Sequence, residues 1–126
     1  MKVWDIFNNS AVESLDFVVV ESSAMLLEKI YNYPNPFIDE TWFNIEHNRP
    51  DQELEVTIKI YDLQGSIAMV LYNKAYTPGY RVEPISWNGT GYGGSRLGGG
   101  LYVYKVFVKS ENGEEAIGSG RLIIKR

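Results

Sequence analysis

The chain has 126 residues, 44% hydrophobic and 22% charged, which is enough for one domain with one core and too apolar for a wholly disordered chain. A net charge of −4 with no basic stripe argues against nucleic-acid binding. The absence of cysteine removes disulfides, thiolate metal sites and a cysteine nucleophile, and no apolar run approaches the ~20 residues of a membrane helix.

The β-branched residues Val, Ile and Thr outnumber Ala and Leu, nine residues are Tyr, and 12 Gly with 5 Pro supply turns. That balance favours strands. Residues 1–20 carry Lys2, Asp5, Glu13 and Asp16 among their apolar positions and do not read as a signal peptide. They read as two strands around Asn8-Asn9-Ser10, followed by the polar linker Glu21-Ser22-Ser23. Residues 1–24 are therefore assigned to the last strands of a preceding β-domain plus a linker, in a chain cut from a longer protein. Residues 25–126 are assigned to a domain of their own.

Residues 24–31 suit a helical turn or an extended lead-in, and the extended form is preferred. Tyr33-Pro34-Asn35-Pro36 follows, where each proline fixes its own φ and biases its predecessor away from helix. Residues 41–46 alternate, with Phe43 and Ile45 inward and Trp42 on the opposite face. His47 and its neighbours form a polar turn around Pro50.

The clearest strand alternates Leu54, Val56, Ile58 and Ile60 with Glu53, Glu55, Thr57 and Lys59. Asp62-Leu63-Gln64-Gly65 closes it, and residues 67–72 return. Thr77-Pro78-Gly79 is the next turn, and residues 80–87 form a strand ending in Trp87. Residues 88–100 are a glycine-rich loop, and Tyr102, Tyr104, Val106 and Val108 begin a further alternation. Asn112-Gly113 is a type I′ hairpin signal, and residues 116–125 form the last strand. In that strand Leu122 and Ile124 are expected inside and Ile123 outside. The spacing predicts an all-β chain, an immunoglobulin-like antiparallel β-sandwich of about seven strands.

Few constellations offer chemistry. Gly89-x-Gly91-x-x-Gly94 matches the dinucleotide fingerprint, but a strand follows it where phosphate binding needs a helix. Asp39, Glu40, Glu46 and Asp51 lack the spacing of a calcium loop and read as solvated charge. His47 reads as an exposed or hydrogen-bonded turn residue. Asn8 and Asn88 head formal glycosylation sequons, short enough to occur by chance. Trp87 reads as a core anchor and Trp42 as a contact for a partner or neighbouring domain. No catalytic residue, metal or cofactor is expected.

Several motifs form an ordered series: Asn32-Tyr33-Pro34-Asn35-Pro36-Phe37, Ile58-Lys59-Ile60-Tyr61-Asp62 with Gly65, Trp87-Asn88-Gly89, Gly98 to Gly100 with Leu101-Tyr102-Val103-Tyr104, and Arg121-Leu122-Ile123-Ile124-Lys125. The series resembles the C-terminal sorting domains of the type IX (Por) secretion system of Bacteroidetes. It shares its Trp-Asn-Gly and Gly-x-Tyr parts with the immunoglobulin-like domain of flagellar hook-assembly proteins. Glu46-His47-Asn48-Arg49-Pro50 and the stretch around Trp4 narrow the resemblance to the C-terminal region of gingipain-like (C25-type) cysteine peptidases acting as sortases. The catalytic Cys and His of that family lie in its peptidase domain and have no counterpart here.

The resemblance implies recognition by an outer-membrane shuttle protein and its translocon. It also implies export through the periplasm to the cell surface and outer membrane. The residues it singles out for docking are Tyr33, Pro34, Asn35, Pro36 and Trp42, and the tail Leu122, Ile123, Ile124, Lys125 and Arg126, with the 88–100 loop beside them. The terminal strand is expected to offer unpaired backbone groups to a partner. The rival readings are a structural spacer and a carbohydrate-binding sandwich that stacks sugars on Trp42 and loop tyrosines.

Overall fold

The structure is a computed structural model that describes residues 24–126. The two strands expected in residues 1–20 lie outside the described residues. Seven strands run in the order β1 (Leu27–Tyr33), β2 (Thr41–His47), β3 (Gln52–Tyr61), β4 (Ile67–Thr77), β5 (Arg81–Trp87), β6 (Gly100–Lys109) and β7 (Glu115–Ile124). They form a three-stranded sheet, β1-β2-β5, and a four-stranded sheet, β4-β3-β6-β7, with every strand pair antiparallel. This is the expected β-sandwich, and the preferred extended reading of the lead-in becomes β1.

The core follows from side-chain alternation. Leu54, Val56, Ile58 and Ile60 of β3 are buried, while their neighbours stay partly wet. Phe43 and Ile45 of β2 and Val82 of β5 are buried across from them. An aromatic seam closes one end: Phe37 lies 5.7 Å from Trp87, and Phe43 meets Tyr104 edge-on at 5.0 Å. Offset and edge-on pairs of this kind add to the area they bury. Trp87 is a core anchor, as its sequence position indicated.

Three loops share one construction. In each, a residue donates its N–H to the carbonyl four positions on and accepts the N–H of a glycine three positions on. The loops are Asp62 with Gly65 and Ser66, Gly91 with Gly94 and Ser95, and Ser110 with Gly113 and Glu114. Gly65, Gly94 and Gly113 all have φ between +81° and +90°. This is the three-residue hairpin loop with a left-handed glycine. The expected type I′ turn at Asn112-Gly113 is therefore corrected. That turn needs positive φ at both residues, and Asp51 is the one non-glycine with positive φ among the described residues. The returning strand also runs past residue 72 to Thr77, because Lys74 and Tyr76 keep register with Glu55 and Glu53.

Candidate functional site

The docking residues singled out by sequence lie at one end of the sandwich. Residues 33–36 carry the chain from β1 across to the edge of β7. Prolines offer no N–H, so side chains supply much of the hydrogen bonding there. Asn32 Nδ2 donates to Thr41 Oγ1 at 3.2 Å, and Thr41 Oγ1 donates to the Pro34 carbonyl at 2.8 Å. Asn32 and Thr41 are buried.

Asn35 then reaches β7. Its Oδ1 accepts the Ile123 N–H at 2.9 Å, and its Nδ2 donates to the Arg121 carbonyl at 3.1 Å and to Asn32 Oδ1 at 3.2 Å. The backbone continues the ladder: Phe37 donates to the Ile123 carbonyl at 3.0 Å and accepts the Lys125 N–H at 2.8 Å, which pairs Phe37 with Ile124 in parallel. The edge of β7 between Arg121 and Lys125 is thus occupied from within the chain. The expectation of unpaired backbone groups there does not hold.

Arg126 closes the end. Its Nε donates to the Leu97 carbonyl at 2.7 Å, Nη1 to the Ile38 carbonyl at 3.3 Å and Nη2 to the Gly89 carbonyl at 3.3 Å. Arg96 also donates to the Ile38 carbonyl, at 3.0 Å, and pairs with Asp39 at 3.2 Å. The close approach explains Gly89: a Cβ there would sit 2.6 Å from Arg126 Nη2, and its φ of +80° already disfavours other residues.

Leu122 and Ile124 are fully buried, whereas Ile123 is 41% exposed and Lys125 and Arg126 lie at the surface. Within residues 122–126 the exposed side chains are therefore those of Ile123, Lys125 and Arg126. Tyr33 is 70% exposed and sits directly opposite the 40% exposed Trp42 on the outer face of the three-stranded sheet.

The structure thus brings together residues 33–36, Trp42, the glycine-rich loop and residues 122–126. Sequence reading missed Arg96, the shared Ile38 carbonyl and the bridging Asn35 carboxamide. No local signal marks them, because their partners lie 29 to 88 positions away.

The other candidates separate. His47 is buried, not exposed, and its Nδ1 accepts the Arg49 N–H at 3.0 Å. Burial lowers its pKa, against an opposing contribution from Glu28. Arg49 makes a two-pronged pair with Glu114, at 2.7 and 3.0 Å, and this hydrogen bonding holds the Glu114 carboxyl below its usual range. Asp39 pairs with Arg96, and Glu46 pairs with Arg81 at 3.4 Å. Among the described residues no three His, Asp or Glu side chains cluster as metal ligands.

Comparison with known proteins sharpens this picture. No protein-family profile and no curated protein matches the chain. Among solved structures, it matches the dimeric latent PorU from Porphyromonas gingivalis at 28% identity and a TM-score of 0.70, over 90% of this chain. The domain is related in fold to a part of PorU. It spans about 10% of the PorU chain. A β-glucuronidase from Parabacteroides merdae matches over 81% of this chain and 14% of that one, at 13% identity and a TM-score of 0.54. That second likeness concerns the β-sandwich alone.

Proposed function

We propose that this chain is a non-catalytic sorting and docking domain of a type IX secretion surface protein, a relative of the sortase PorU, recognised by the outer-membrane shuttle protein and its translocon. The observation that carries the reading is the similarity to PorU over 90% of the chain. It is supported by the convergence of three sequence-distant motif segments at one end of the sandwich, where Asn35 and Arg126 lock them together. A rigid end with a few projecting side chains suits recognition by shape. On this reading Ile123, Lys125 and Tyr33 meet the shuttle, and the buried Leu122 and Ile124 hold the strand that presents them.

The test fuses the full chain to a periplasmic reporter in a type IX host. Export to the cell surface, reduced by Ile123→Ser with Lys125→Glu at an unchanged melting temperature, supports docking. Retention in the periplasm makes the domain a spacer. One observation favours a second reading: Tyr33 and Trp42 form an exposed aromatic pair of the kind that stacks on sugar rings. Glycan binding abolished by Trp42→Ala, without any export, would establish the carbohydrate-binding alternative.

A further inference from the structure

The outer face of the four-stranded sheet carries a cation arrangement that the fold itself does not require. Lys59 of β3 and Lys105 of β6 are directly opposite one another in register. Like charges in that position repel and destabilise a sheet. The chain as a whole is acidic, with a net charge of −4. Yet among the described residues neither lysine, nor Arg121 on the neighbouring strand, has a carboxylate within ion-pair distance. The nearby carboxylates are engaged elsewhere: Glu53 and Glu55 share Lys74, and Asp62 accepts the Gln64 and Ser66 N–H groups of its own turn.

The two ammonium groups turn away from each other. Lys59 Nζ lies 5.1 Å from the centre of the Phe107 ring, and Lys105 Nζ lies 5.7 Å from that of Tyr61. Phe107 is opposite Thr57 and Tyr61 is opposite Val103, so the two rings flank the lysine row on opposite sides along the strands. Aromatic faces stabilise the ammoniums but leave their N–H donors open to an anion. Beside Lys105 an open depression of about 380 Å³ is lined by Tyr61, Leu63 and Val103 among others. Leu63 is largely exposed there. Charge and apolar surface thus lie next to each other.

We propose that this face docks an acidic, apolar-bearing peptide segment of a protein partner. Carboxylates seat between Lys59 and Lys105 and reach Arg121, and a neighbouring apolar side chain enters the Tyr61–Leu63 depression. The surface meets the Asn35–Arg126 end at Arg121, whose carbonyl accepts from Asn35, but the opposed lysines lie outside that end, and the proposal does not rest on the sorting function. Charge complementarity selects the acidic segment: an uncharged peptide would leave the opposed lysines unrelieved, and a basic one would worsen them.

The test measures binding of the full chain to three synthetic peptides that alternate Leu with Glu, Ser or Lys, and to vesicles containing phosphatidylglycerol. The expected result is salt-sensitive binding of the Glu/Leu peptide alone, weakened about tenfold or more by Lys59→Glu with Lys105→Glu. The single change Lys59→Glu places a carboxylate opposite Lys105. It should weaken peptide binding while leaving the melting temperature equal or higher, which separates loss of the site from loss of the fold. Equal affinity in the wild type and the double variant overturns the proposal. Equal or stronger binding of the Lys/Leu or Ser/Leu peptide, or of none of the three, does the same. Capture by the vesicles without peptide binding overturns it in favour of a membrane surface.

Discussion

The Asn35 carboxamide takes the place of a peptide group at the edge of β7, accepting from Ile123 and donating to Arg121. Few side chains can imitate both halves of a peptide at that spacing. Asn35→Ala should therefore cost about 1–3 kcal/mol, from the lost bonds and the partly unsatisfied groups they leave. Asn35→Asp should also destabilise, because it keeps the acceptor for Ile123 but turns an oxygen toward the Arg121 carbonyl. Denaturant melts of both variants check this, and wild-type stability in either would remove the bridge from the account. His47 gives a pH signature. Burial holds its folded pKa below the unfolded value of 6.5, so the unfolded chain takes up the proton first as pH falls. Stability from this group is complete above that value and should decline as pH drops below it. It is the single histidine, so thermal melts between about pH 7 and 5.5 should lose this slope in His47→Gln, even though that variant is less stable overall. Glu114 acts lower. Arg49 holds its folded pKa down, so its contribution is present above the usual carboxylate range and is lost as pH falls further.

At the scale of the element, β7 shows why a strand can break its own alternation. Gly118 and Gly120 stand where larger inward residues would be expected. A Cβ at Gly120 would lie 2.5 Å from Tyr104 Oη, and one at Gly118 would lie 2.6 Å from Ile30 Cδ1. The glycines make room for the buried Tyr104 ring, directly opposite Gly120, and for β1 folding over the strand. Gly120→Ala should destabilise by about 1–3 kcal/mol through overpacking. In a Tyr104→Leu background the same change should cost much less, and that coupling is the measurement. Additive costs would mean that ring and glycine do not share the space. β3 behaves in the opposite way: its strict alternation places four apolar side chains in the core, and it could be read without the structure. β4 could be read only in part, because an edge strand is half-buried along its length and its hydrophobic pattern blurs before it ends.

Across the whole molecule, residues 35–38, the glycine-rich loop and residues 121–126 form one hydrogen-bonded unit capped by core side chains. Leu122→Ala should cost about 2–5 kcal/mol, since Leu122 is completely buried. Hydrogen exchange should show the amides of Phe37, Leu97, Ile123 and Lys125 losing protection together in that variant. The loop tips at Tyr92 and Asn112 should exchange quickly in both proteins. Separate loss of protection in the three segments would mean that the end is not a single unit. Removing residues 123–126 cannot separate docking from stability, because it deletes the buried Ile124 and the Arg126 clasp together. Exposed point changes at Ile123 and Lys125 make that distinction.

The sequence alone determined the class of fold and the core of β2, β3 and β6, because a period of two in hydrophobicity is a local property that burial on one face requires. It also marked the segments around Pro34 and Pro36, the glycine-rich loop and the last strand as unusual. Only the tertiary structure decided what those segments do to one another. Asn35, Arg96 and Arg126 act through carbonyls and amides far along the chain, and a hydrogen bond between distant residues leaves no pattern within either segment. The burial of His47 and the opposed lysines of β3 and β6 are of the same kind. Each depends on which strands become neighbours, and strand order is settled by the packing of two sheets rather than by any stretch of sequence.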